Sequence, residues 1–152
     1  MKDLTKFYIN GQWVSPLAAN DLAVENPATE EIIATISLGA AGDVDAAVAA
    51  AKAAFPSYAQ VSVEERISLM ENLLKIYMDR YEEMSVAISM EMGAPISFAT
   101  AAQADCGRGH INAAIDALKK FEFERQIGNT RIVKEPIGVC GFITPWNWPI
   151  NQ

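Results

Sequence analysis

Gly138-Val-Cys-Gly-Phe-Ile-Thr-Pro-Trp-Asn-Trp-Pro-Ile-Asn-Gln152 begins as a short apolar run bounded by glycine and ends in two prolines that bracket Trp146, Asn147 and Trp148. The run has the pattern of a strand buried on both faces of a parallel sheet. Pro145 and Pro149 halt regular structure, so the last residues are expected at the carboxyl edge of the sheet, where open α/β sheets bind ligands. On residue types alone, two tryptophans and two prolines describe a packed corner more readily than a site, and an asparagine in a turn more often serves its own backbone. A side-chain amide fixed just past a strand end is also a good donor to a developing oxyanion, which makes Asn147 the residue to follow.

Working back from this stretch, Gly128-Asn129 turns the chain into the alternating strand Thr130 to Glu135, with Ile132 and Lys134 on one face and Arg131, Val133 and Glu135 on the other. A mixed face of that kind suits an edge or a subunit contact. Before it, a long helix is expected from about Pro95 to about Phe121, with Ala99, Ala102, Cys106, Ala113, Ala117 and Phe121 along one side. Gly107 and Gly109 in its middle either allow close helix approach or weaken it. Ser62-Val-Glu-Glu65 is a capping box, and Ile67, Met70, Leu74, Tyr77 and Tyr81 mark the buried face of the helix it opens. The pattern breaks near Asp79 and resumes to Met92, with Gly93 as a left-handed cap and Pro95 as the first residue of the next helix. Asp43 is expected to N-cap an earlier helix carrying Val44, Ala47, Val48, Ala51 and Phe55, limited by Pro56.

The amino-terminal part reads as two hairpins. Asn10-Gly11 joins strands near 6–9 and 12–14 through a type I′ turn. Asp21 to Glu25 and Glu31 to Ser37 flank a turn at Asn26-Pro-Ala-Thr29, with Ile32, Ala34 and Ile36 on one face. No acid, base or nucleophile converges in these hairpins.

A chain of 152 residues, 51% hydrophobic and 20% charged, is long enough for one domain with a core, which excludes disorder as its main state. The net charge of -7, with 12 basic residues scattered among 19 acidic ones, argues against a nucleic-acid partner. The start lacks an apolar signal core and no apolar run spans a bilayer, so a cytoplasmic protein with no membrane partner is expected.

Other constellations carry little chemistry. Glu64-Glu65 and Glu82-Glu83 are helical neighbours that point apart. His110 has no sequence-local carboxylate or cysteine partner. Met84, Met90 and Met92 read as core filler. Cys140 is expected inside the apolar strand and Cys106 within a helix, both reduced packing residues without a base. Gly138-x-x-Gly141 lacks the spacing of a dinucleotide fingerprint.

Tyr8-Ile-Asn-Gly-Gln-Trp-Val14, Asn26-Pro-Ala-Thr-Glu-Glu31, Asp43-Val-Asp-Ala-Ala-Val48, Glu91-Met-Gly-Ala-Pro95, Glu135-Pro-Ile-Gly138 and Thr144-Pro-Trp-Asn-Trp-Pro149 stand in the order found in the NAD(P)-dependent aldehyde dehydrogenases. The whole chain resembles the amino-terminal segment of that family. The resemblance implies an α/β fold of β-hairpins, long helices and the first strand of a Rossmann-like parallel sheet. It implies that residues 1–152 are the amino-terminal part of the NAD-binding domain, with about 126–137 in an oligomerisation strand and the catalytic domain absent.

For function, the resemblance implies oxidation of an aldehyde to a carboxylic acid with NAD or NADP through a cysteine thioester, in a homodimer or homotetramer. Asn147 matches the amide that stabilises the oxyanion. Ile143, Thr144, Pro145 and Trp146 match the segment lying along the cofactor, and Trp148 and Gln152 match positions lining the aldehyde tunnel. Val24, Glu25 and Glu91 match a structural monovalent-cation site, with Glu91 where the family frequently has Asp. The family's nucleophilic cysteine and catalytic glutamate match nothing up to Gln152, so the chain alone is expected to be inactive, to bind NAD weakly and to expose apolar surface. The rival reading is a non-catalytic fragment or interaction module of the same fold.

Overall fold

Residues 2–152 are described by a computed structural model. The first strand, β1 (Lys2–Leu4), was not anticipated from the sequence. It leads into a hairpin of β2 (Phe7–Ile9) and β3 (Gln12–Val14), in which Ile9 pairs with Gln12. Asn10 and Gly11 both take positive φ, 52° and 76°, as a type I′ turn requires. Strands β4 (Asp21–Asn26) and β5 (Glu31–Ser37) are antiparallel, and β1 adds to β5 in parallel, giving the order β1-β5-β4. The turn between β4 and β5 is held by Asn26, whose Oδ1 accepts from the Ala28 N–H. A bulge interrupts the ladder, because Val24 pairs with Ala34 while Glu25 pairs with Ile32. The extra residue, Ile33, breaks the alternation. Ala34 is buried and Ile36 half-buried, but Ile32 is exposed.

Helix α1 (Ala41–Tyr58) corrects two expectations. Its N-cap is Ala40, and Asp43 sits three residues further in, buried, with its carboxylate accepting the N–H groups of Ala40 and Leu17. An acidic side chain in the first turn satisfies free amides there as well as an N-cap does, and here it also ties down the preceding loop. Pro56 lies inside the last turn, with helix continuing to Tyr58. On the expected apolar stripe Val48 and Phe55 are half-buried, while Val44, Ala47 and Ala51 face outward.

Ser62 opens α2 (Val63–Asp79) with the expected reciprocal cap: its hydroxyl accepts from the Glu65 N–H, and the Glu65 carboxylate accepts from the Ser62 N–H. Arg80, at φ -113° and ψ 17°, separates α2 from α3 (Tyr81–Met92). Gly93 ends α3 at φ 76°, and a Cβ there would meet Pro27 Cγ at 2.7 Å. Left-handed backbone and close approach together require glycine.

The third helical stretch runs from α4 (Ile96–Phe98), N-capped by Pro95, through a π-helical segment (Ala99–Ala104) into α5 (Asp105–Lys120). The wider π turn changes which residues face inward. Ala99, Gln103, Ala104, Gly107 and Ile115 are buried, whereas Ala113 and Ala117, expected on that side, are exposed. The core gathers Ile88, Ala94, Ala99 and Ala104, with Tyr81, Met84, Met92 and Ile150 packed against it.

A last hairpin joins β6 (Glu124–Ile127) to β7 (Thr130–Val133) around Gly128 at φ 57°. β7 stops two residues before the expected Glu135, and β6 was not foreseen. Residues 134–145 then run without strand pairing among the described residues, so the expected buried strand after Gly138 is not formed. A strand is defined by its neighbour's hydrogen bonds, and the apolar pattern alone supplies none. Cys140 is consequently exposed rather than packed, its thiol 3.8 Å from the Gly138 carbonyl. Val44, Leu73, Ile76, Phe142 and Ile143 contribute to a large exposed apolar surface.

The Ser62–Glu65 cap carries a test. Ser62→Ala should lower unfolding stability by about 1 kcal/mol in urea titration. Hydrogen bonds from the Ser62 backbone and then its hydroxyl hold the Glu65 carboxyl below its ordinary value. A folded pKa below the unfolded one adds stability above the unfolded value, about 4.3, and that stability is lost as pH falls through the folded value. Glu65→Gln should therefore flatten the acid limb of a stability-versus-pH curve below about pH 4.3 and leave its neutral limb parallel to that of the unsubstituted chain.

Candidate functional site

The π segment is pinned from behind by two tyrosines. Tyr77 Oη donates to the Ala104 carbonyl at 2.6 Å and Tyr81 Oη to the Thr100 carbonyl at 2.5 Å, their rings edge-to-face at 6.1 Å. Burial, more than the neighbouring charges, pushes both phenols up from their usual value, so they stay protonated donors at neutral pH. At the outer surface, Arg108 donates two hydrogen bonds to Asp105, which hold that carboxyl below the ordinary range.

The same helix also meets the end of the chain, at four levels. The Phe98 and Trp148 rings meet edge-to-face at 5.7 Å. Gln103 Nε2 donates to the Asn147 carbonyl at 3.5 Å. Gly107 lies under Ile150, where a Cβ would come within 2.5 Å of Ile150 Cγ2 and of Tyr77 Oη. His110 Nε2 is 2.7 Å from Asn151 Oδ1, a partner forty-one residues away that no local pattern points to. Residues 98, 103, 107 and 110 follow the helical repeat, so one face templates the turn at 147–151, itself closed by Asn151 N–H to the Trp148 carbonyl.

The residues singled out from the sequence fall into three places. Ile143, Thr144, Pro145 and Trp146 are exposed on an extended chain whose backbone pairs with no other backbone group among the described residues. Asn147 follows, its side chain exposed and without a hydrogen-bond partner among the described residues, while its carbonyl is tied to Gln103. Trp148 is half-buried on Phe98, and Gln152 is exposed beyond the turn. Val24 and Glu25 lie on β4, which packs against α3, the helix carrying Glu91. Both glutamates are exposed, and among the described residues no group of three His, Cys, Asp or Glu side chains is placed to hold a metal. Cys106 is half-buried in α5.

Gln103 and the two tyrosine hydroxyls are the parts of this region that sequence reasoning missed. The signal was available: Gln103 is the lone amide in Ala99-Thr-Ala-Ala-Gln-Ala104, on a side otherwise lined by small apolar residues.

Comparison with known proteins resolves what this arrangement belongs to, since the aldehyde dehydrogenase family model matches residues 13–152. The chain belongs to the aldehyde dehydrogenase family. Among curated relatives of that family, it is 46% identical to a 3-succinoylsemialdehyde-pyridine dehydrogenase of a Pseudomonas species, a match over all of this chain and 32% of that protein. The chain thus spans about a third of the length of the curated relatives it matches. Among solved structures, an aldehyde dehydrogenase from Bartonella henselae superposes with a TM-score of 0.97 at 46% identity, covering 100% of this chain and 33% of that one. Aldehyde dehydrogenase C of Pseudomonas syringae, solved with NAD+ and octanal, gives 0.94 at 47% identity, covering 97% and 30%. The α/β fold expected from the sequence is therefore that of the aldehyde dehydrogenases over their amino-terminal third.

The two helix glycines of this aldehyde dehydrogenase segment separate cleanly. Gly107→Ala should destabilise by about 1–3 kcal/mol through overpacking against Tyr77 and Ile150. At Gly109, among the described residues, an added Cβ meets nothing within 4 Å beyond its own stretch of helix, so Gly109→Ala should stabilise by about 0.5–1 kcal/mol. Urea midpoints of the two variants should move in opposite directions.

Proposed function

We propose that residues 1–152 work as the amino-terminal third of an aldehyde dehydrogenase that oxidises an aldehyde to a carboxylic acid with NAD or NADP. The observation that carries this reading is the unpartnered carboxamide of Asn147, presented on a turn anchored to a rigid helix and flanked by the exposed backbone of 143–146. Its Nδ2 donates to the carbonyl oxygen of the aldehyde as that oxygen gains negative charge. A preplaced neutral amide stabilises such an oxyanion without reorganising.

The exposed, unpaired main chain from Ile143 to Trp146 fits a nucleotide held through backbone groups along one wall. When bound, the cofactor accepts hydride from the substrate carbon. Trp148, fixed by Phe98, offers its remaining ring face with Gln152 to the aldehyde entrance. The family's cysteine nucleophile and glutamate base have no counterpart in these 152 residues. Cys140 hangs on an exposed loop with no base beside it, and Cys106 packs within α5.

The hairpin β6–β7 and residues to about 137 serve as an oligomerisation edge in a homodimer or homotetramer. Exposed Ile127 and Val133 and the open strand edges support that role. Two free cysteines suit a reducing cytoplasm, and no helix among the described residues is long and apolar enough to cross a membrane. The broad exposed apolar surface favours a second reading, a non-catalytic interaction module of the same fold.

Intact mass and NAD-reduction assays on the natively produced protein distinguish the two. The dehydrogenase reading expects a mass per chain of roughly three times 16.5 kDa, since this chain is 32% of its Pseudomonas relative, and turnover of a short aldehyde. It also expects Asn147→Ala to lower kcat by about 100- to 1,000-fold, as loss of an oxyanion donor does. A 16.5 kDa chain without turnover would instead establish the interaction module.

A further inference from the structure

We propose that Gln103 is a positioning residue for Asn147, setting the height and direction from which the Asn147 amide meets its substrate. The proposal rests on the dehydrogenase reading above for its chemistry, but its geometry stands on the helix and turn alone.

Gln103 is only 2% exposed, and its Nε2 donates to the Asn147 carbonyl. Its Oε1 is buried with no hydrogen-bond partner among the described residues. An acceptor left in that state destabilises the fold, and methionine or leucine would fill similar space without it. Packing therefore gives no reason for a glutamine here, whereas a donor aimed at residue 147 does. The other levels of the seam hold Trp148, Ile150 and Asn151, so among the described residues Gln103 is the side chain that grips residue 147 itself. A donor on that carbonyl fixes the plane of the peptide after Asn147, and with it the direction in which its Cα carries the side chain. The π segment supplies the rigid base. The carbonyls of Thr100 and Ala104, on either side of Gln103, are already occupied by tyrosine hydroxyls and do not compete for its amide.

Gln103→Met and Gln103→Glu test the assignment. Hydrogen exchange on the natively produced protein should show the amide of Asn151, whose N–H closes the turn on the Trp148 carbonyl, exchanging about 10-fold faster in Gln103→Met, with the amides of residues 111–118 unchanged. In the natively produced enzyme carrying this segment, Gln103→Met should keep or raise thermal stability. It should lower kcat by about 10-fold, since small misplacement of a catalytic group is felt in the rate, with KM for the nucleotide within about two-fold. Gln103→Glu should regain activity as pH falls, because only the protonated carboxyl can donate to the Asn147 carbonyl, a recovery that the unsubstituted enzyme and Gln103→Met both lack.

Unchanged exchange at Asn151 together with unchanged kcat would overturn the assignment. So would loss of protection spread evenly through α5, which marks a merely structural residue. The exchange measurement needs no turnover. If Asn147→Ala leaves kcat intact, the dehydrogenase reading fails while exchange still judges Gln103. If Asn147→Ala is crippled and Gln103→Met is normal by both measures, only the positioning role fails.

Discussion

Two hydrogen bonds, from Tyr77 to the Ala104 carbonyl and from Tyr81 to the Thr100 carbonyl, hold the π segment against the helices behind it. A π turn is a strained interruption of the α-helical ladder, and buried carbonyls around it need donors. The two phenols come from different helices on either side of Arg80, one from the end of α2 and the other from the start of α3. Spaced four residues apart, they keep to one face across the break at Arg80, as i and i+4 residues of a helix do, and reach the same segment. From this junction the chain gains its core around Ile88, Ala94, Ala99 and Ala104, and the long helix gains the inner face that receives residues 147–151.

The parts legible in the sequence were those whose physics is local. Asn10-Gly11 closes its hairpin because both residues tolerate positive φ, Ser62 and Glu65 cap α2 within four residues, and Gly93 ends α3 in the left-handed region. The parts that were not legible depend on distant partners. Asp43 acts three positions inside its helix because Leu17 offers a second amide, which no local pattern reveals. Ile32 leaves the face shared by Ala34 because the bulge arises from pairing with β4. The apolar run after Gly138 has a strand's composition without a strand's neighbour, so it remains extended and open.

The candidate site divides along the same line. Residues 143–148 could be named as a unit because the proline-locked sequence is so particular, and the structure keeps them contiguous, with 143–147 exposed and Trp148 half-buried. What supports that unit came from forty residues upstream, through Phe98, Gln103, Gly107 and His110. Side chains at helical spacing in an alanine-rich stretch look like inert packing until the turn they receive is known.

The π segment also gives the long helix one place where its length can change. A π turn holds about one residue more than an α turn, so removing a single alanine from Ala101-Ala102 would let the segment relax into ordinary α-helix and leave everything after it at nearly the same angle about the axis. Gly107 would stay beneath Ile150 and His110 opposite Asn151. A deletion between Gly107 and His110 has no such slack: it would turn His110 by about 100° away from Asn151 while the helix itself stays intact. The seam therefore tolerates a change of length within the π segment and none beyond it.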